Sequence, residues 1–175
     1  MPRLAIPLLL VTGIATAVHA QQPDPAQARA KQLKEGIKTF RLTLNYNGDE
    51  DKPYYNLTLS VPPIAYDRST RFYELVQVSE GQATKIIDHL VGDGFLSKAE
   101  DKSKRPQPTM PCYTLTVGNF YEDLGWGLPM LKRLDGLRKV LDGDAAKGMD
   151  FLLNRLSGWR KQWEKEAKAK PQSSQ

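Results

Sequence analysis

The 175-residue chain has one cysteine, Cys112, and two histidines, His19 and His89. A single thiol forms no internal disulfide, so a hydrophobic core has to hold the fold together. One thiol and two imidazoles are also too few for a zinc site of the usual kind. Asp142-Gly143-Asp144 and Asp49-Glu50-Asp51 resemble pieces of calcium loops. Neither has the glycine and terminal glutamate spacing of an EF-hand, so they read as a helix end with its cap and as a solvated turn. No G-x-S-x-G is present for serine chemistry. The reading therefore contains no metal and no cofactor.

Long apolar runs are equally scarce. The one run of note, Leu4 to Val11, follows Arg3 and gives way to Thr12, Gly13 and small residues up to Ala20. It is shorter than the roughly 20 apolar residues of a membrane span. Pro7 and Gly13 interrupt it, and Val18-His19-Ala20 stands where a cleavage site would. Residues 1–20 thus read as a secretory signal peptide cleaved after Ala20, with an uncleaved anchor as the alternative. The expected location is secreted or periplasmic, with no transmembrane span after cleavage. No cysteine near the site would carry a lipid. His19 leaves with the signal, which makes His89 the one imidazole of the mature chain.

The rest has the composition of a soluble globular protein, at 40% hydrophobic and 26% charged residues. Residues 21–36 are polar, with Pro23 and Pro25, and read as a flexible lead that turns helical near Ala28 to Glu35. Residues 37–164 form one domain, and 165–175 a disordered tail.

Val78 to Leu96 is the organising segment. Ser79 and Gln82 have capping-box spacing, in which the serine hydroxyl takes the Gln82 N–H and the Gln82 amide reaches back to the Ser79 N–H. Ala83, Ile86, Ile87, Leu90 and Val91 make one helical stripe, and Gly92 or Gly94 stops it. Phe40-Leu42-Leu44-Tyr46 and Tyr55-Leu57-Leu59-Val61 alternate with polar residues, which predicts two strands in a hairpin. Phe72 to Val78 reads as a third strand and Tyr113-Leu115-Val117 as a fourth. Lys98 to Pro111 reads as a charged loop and Gly118 to Gly127 as an irregular aromatic one. Leu131, Leu134, Leu137 and Leu141 make one closing helix, which Gly143 ends, and Asp144 caps the next. Met149, Leu152, Leu156, Trp159 and Trp163 make a second.

The expected fold is α+β, in the order β-β-β-α-β-α-α. An antiparallel sheet of about four strands has one face covered by the central helix and the two C-terminal helices.

Cys112 and His89 form the one conceivable thiol–imidazole pair, but no helix N-terminus stands behind Cys112 to lower its pKa. Glu122-Asp123 beside Trp126 could serve a hydrolase if two carboxyls faced each other across a cleft. Phe120, Tyr121 and Trp126 are the candidate binding residues. Aromatics with a polar handle recur in binding sites, and Trp126 stands between two glycines.

The C-terminal helix interleaves Arg155, Arg160, Lys161, Lys165, Lys168 and Lys170 with Trp159 and Trp163. That pattern, with a net charge of +5, allows weak contact with anionic surfaces. Export argues against nucleic acid. The leading expectation is an exported, non-enzymatic binding module for a protein or envelope polymer. A hydrolase and a surface-associating protein are the alternatives.

Overall fold

A computed structural model describes residues 24–48, 55–63, 73–101 and 111–169. Residues 1–20, expected to be a signal peptide, and Asp49 to Asp51, expected to be a solvated turn, lie outside them. Among the described residues no helix is long and apolar enough to cross a membrane.

The class is α+β, but the sheet is larger than expected and mixed. Its six strands are β1 (Arg41–Asn47), β2 (Asn56–Ser60), β3 (Tyr73–Gln77), β4 (Glu100–Asp101), β5 (Cys112–Val117) and β6 (Phe120–Asp123), in the order β3-β2-β1-β5-β6-β4. The predicted hairpin forms, with Leu42 opposite Leu59 and Leu44 opposite Leu57. β5 pairs antiparallel to the other edge of β1, and β3 runs parallel to β2. The expected four-stranded antiparallel sheet is corrected on both counts. Alternation marks a strand and its faces, whereas pairing direction depends on the route of the connection.

β6 lies inside the expected irregular aromatic stretch. Gly118 at φ +56° makes the tight turn after β5, and a two-residue Gly-Asn connection is itself a hairpin signal.

The helix α2 (Glu80–Gly92) matches its prediction closely. Ser79 Oγ accepts the Gln82 N–H at 3.1 Å, and Gly94 at φ +76° lies just past the end. Ala83, Ile86, Ile87 and Leu90 are all buried. Half of the capping box is replaced, however. Gln82 Nε2 donates to the Val140 carbonyl at 2.5 Å instead of reaching back to Ser79. Gln82 is 5% exposed, and its Nε2 finds this partner inside the protein, while its Oε1 is buried without one among the described residues.

The lead, expected to turn helical near Ala28 to Glu35, is already helical from Pro25, as α1 (Pro25–Glu35). Asp24 caps it by accepting the Ala26 N–H at 3.0 Å, and Pro25 opens its first turn. Ala26 and Ala30 are buried, being small enough to let this helix close on its neighbours. Arg29 pins it, donating to the carbonyls of Leu96 and Ala99 at 2.7 and 2.8 Å around the short helix α3 (Phe95–Lys98).

Three helices close the domain: α4 (Leu128–Arg138), α5 (Gly143–Arg155) and α6 (Ser157–Ala169). The N-cap of α5 is Asp142, where Asp144 was expected. The second predicted helix is broken at Leu156. α5 packs on β2, β3 and α4, whereas α6 packs on α4 and α5 and sets Trp159 and Trp163 against Trp126. Gly148 allows the first approach, since a Cβ there would stand 3.1 Å from Leu57 Cδ1. α6 continues through Ala169, into the stretch expected to be a disordered tail, and residues 170–175 lie outside the described residues.

Leu42, Leu44, Leu57, Leu59, Leu115 and Val117 line one face of the sheet and form the core with the helices. Strand alternation puts Thr43, Asn45, Thr58, Ser60, Cys112, Thr114, Thr116, Tyr121 and Asp123 on the other face.

Candidate functional site

The predicted binding residues do not converge. Phe120 and Tyr121 are neighbours on β6, so they point to opposite faces. Phe120 is half-buried under the Arg29 guanidinium, 5.2 Å from its ring centroid. Tyr121 is 4% exposed and donates its hydroxyl to Glu100 Oε2 at 3.0 Å across the β4–β6 pair. Trp126 lies beyond the opposite end of β6, half-buried.

Trp126 is the centre of an aromatic cluster. Its ring centroid is 5.5 Å from Tyr46 and 6.2 Å from Tyr113, the latter nearly parallel. Trp159 and Trp163 meet it edge-on at 5.7 and 5.2 Å. T-shaped contacts of this kind set the positive edge of one ring against the negative face of another. The flanking glycines have a backbone explanation. Gly125 and Gly127 have φ +73° and +143°, values that L side chains rarely adopt. They turn the chain from β6 into α4 and fold the indole down between sheet and α6.

A second group of rings continues from this cluster to the surface. Tyr113 donates its hydroxyl to the Tyr55 carbonyl at 3.1 Å. The Tyr55 ring packs on Phe151 at 4.6 Å, and the Arg155 guanidinium sits 5.2 Å above the Phe151 ring. Phe151 is 44% exposed, and it is the one exposed large hydrophobic residue among the described residues. It lies off the Met149–Leu152–Leu156 stripe of α5, with Arg155 one turn on. That out-of-phase aromatic was legible as an outward-facing residue and was missed. The site is thus a ring-lined end of the domain: Tyr55, Phe151 and Arg155 at the surface, with Tyr113 and Trp126 beneath.

The alternative chemistries take different positions. Cys112 is on the face opposite Leu115, which lines a small cavity together with His89. The sheet therefore stands between the thiol and the imidazole, and the dyad is not assembled. His89 packs on α4, where a Cβ at Gly136 would stand 3.3 Å from its Cε1.

Glu122 and Asp123 also point to opposite faces. Glu122 Oε1 accepts from Arg133 Nη1 at 2.7 Å, and Arg133 Nε donates to Asp93 at 2.7 Å. Burial pulls the Arg133 pKa down, but the bonds from Glu122 and Asp93 outweigh it and hold it above the usual value. This bridge ties the end of α2 to β6 and α4. Asp123 instead accepts the Thr114 hydroxyl at 2.5 Å, and Asn47 Nδ2 donates to Thr114 Oγ1 at 2.6 Å. Among the described residues no three acidic, histidine or cysteine side chains cluster as a metal site would require.

No family model, curated protein or solved structure matches the chain, so the site is read from its own geometry.

Proposed function

We propose that the chain is an exported binding module without chemistry of its own, holding a protein or envelope polymer at the aromatic end of the domain. The observation that carries this reading is the exposed Phe151 ring, flanked by Tyr55 and Arg155, with the buried Tyr113 bonded to the Tyr55 carbonyl. Aromatic rings and arginine are the residue types that carry most binding energy at interfaces. They do so best where the ring is already held, because little side-chain entropy remains to be lost on binding. Trp126 serves the site at one remove: its ring stacks on Tyr113, whose hydroxyl bonds the Tyr55 carbonyl.

The test is capture from a native envelope extract or culture medium with the wild-type chain and with a Phe151→Ala/Arg155→Ala variant, followed by affinity measurement on the purified captured species. A hot-spot pair worth about 2 kcal/mol or more predicts at least about thirtyfold weaker binding at an unchanged melting temperature. Equal capture and equal affinity by both chains would refute the assignment of this site.

A further inference from the structure

The outward face of α6 carries a second surface, independent of the aromatic end. α6 has no fully buried residue. Trp159 and Trp163, one turn apart, face Trp126, and Arg160 bonds Asp135 of α4 at 2.8 Å. At 3.6 residues per turn, Lys161, Lys165 and Lys168 fall on the side roughly opposite the tryptophans. All three are exposed. Among the described residues no carboxylate pairs with them, whereas Lys31, Lys34, Lys85, Arg138 and Lys147 each meet one. Glu166 accepts from Gln162 at 2.8 Å, and among the described residues Glu164 forms no ion pair with the three lysines.

We propose that this ridge docks the domain on an anionic lipid surface, with α6 lying flat along it. The chemistry of the ridge selects that partner. Lysines are compact, strongly hydrated point charges without the planar fork by which arginine grips a single phosphate or carboxylate. Three of them in a line about 10 Å long, on a convex helix, form no cavity for a discrete anion. They fit a continuous plane of negative charge. The tryptophans are engaged on the inner side, so the contact is electrostatic and superficial, without an inserted segment. Each lysine near such a surface strengthens partition about fivefold, and the attraction fades within a Debye length.

The experiment is co-sedimentation of the purified chain with phosphatidylcholine vesicles, with and without phosphatidylglycerol, at low and high salt. The expected result is binding to the anionic vesicles alone, weakened by salt. It should fall about a hundredfold in Lys161→Gln/Lys165→Gln/Lys168→Gln, with the melting temperature unchanged. Phe151→Ala/Arg155→Ala should bind vesicles like the wild type, which separates this surface from the aromatic site. The proposal is overturned if binding is equal on the two lipid compositions or absent from both. It is also overturned if the lysine variant binds as well as the wild type, or if the Phe151 variant loses the binding instead. Capture of a soluble acidic polysaccharide in preference to anionic vesicles would reassign the ridge to a polymer and overturn it too.

Discussion

Replacing Trp126 by alanine would remove a ring that four others contact. A fully buried tryptophan cut to alanine costs about 3–5 kcal/mol. Trp126 is half-buried, which places the expected loss near the low end, at about 3 kcal/mol. The sum of its ring contacts agrees, since each aromatic pair adds about 0.5–1.5 kcal/mol beyond area burial. The loss should not be spread evenly. Tyr46 and Tyr113 are held by the sheet, but Trp159 and Trp163 are the main inward side chains of a 13-residue helix. Helices of about that length are marginal in water on their own. Without Trp126, α6 should therefore open locally while the sheet stays closed. Hydrogen exchange resolved to peptides, beside a denaturant melt of the same variant, measures both effects. Amides of 157–169 should lose protection well beyond the global loss, and those of β1 and β5 only by the global amount. Unchanged protection in α6, or a total loss below about 0.5 kcal/mol, would refute the role of Trp126 as the clamp on this helix.

Ile87→Ala should cost about 2–5 kcal/mol in a denaturant melt, against roughly 0.5 kcal/mol for Lys85→Ala on the wet face of the same helix; equal losses would invert the face assignment. Gln82→Ala should cost roughly 1–3 kcal/mol by stripping the Val140 carbonyl of its donor, and Ser79→Ala about 1 kcal/mol. Because the two side chains serve different partners, the losses should add within about 0.5 kcal/mol in the double variant, whereas strong coupling would restore the reciprocal capping box. Burial, then the charge of Asp144, raises the Glu74 pKa in the fold. A raised carboxylate binds its proton more tightly folded than unfolded, so stability is lost as pH climbs from its unfolded to its folded pKa. Glu74→Gln should match the wild type in acid and melt higher at neutral pH, and a difference independent of pH would contradict this. Export predicts a mature N-terminus at Gln21, which N-terminal sequencing checks; an intact Met1 on a cytoplasmic chain would rule it out.

Much of the architecture was legible because it is local. The start and apolar stripe of α2 follow from Ser79 and from Ala83 to Leu90, which satisfy cap geometry and helical period with no help from distant residues. The β1–β2 hairpin and β5 follow from strict alternation in Leu42-Leu44, Leu57-Leu59 and Tyr113-Leu115-Val117. The shared face of Lys161, Lys165 and Lys168 follows from helical spacing only once α6 runs through Ala169, beyond its expected end. Tertiary contacts decided the rest. β3 runs parallel to β2, a pairing direction that no period encodes. The helix near Ala28 to Glu35 was expected, but its docking was not: Arg29 reaches carbonyls 67 and 70 residues away, and a polar composition gives no sign of that. Gln82 leaves its cap for Val140, a partner supplied by tertiary contact. Phe120, Tyr121 and Trp126 look like one site in sequence and separate in space, since strand alternation and the turn at Gly125–Gly127 send each to a different place. Phe151 and Tyr55 become a surface only once α5 lies on the start of β2, a contact between segments almost a hundred residues apart.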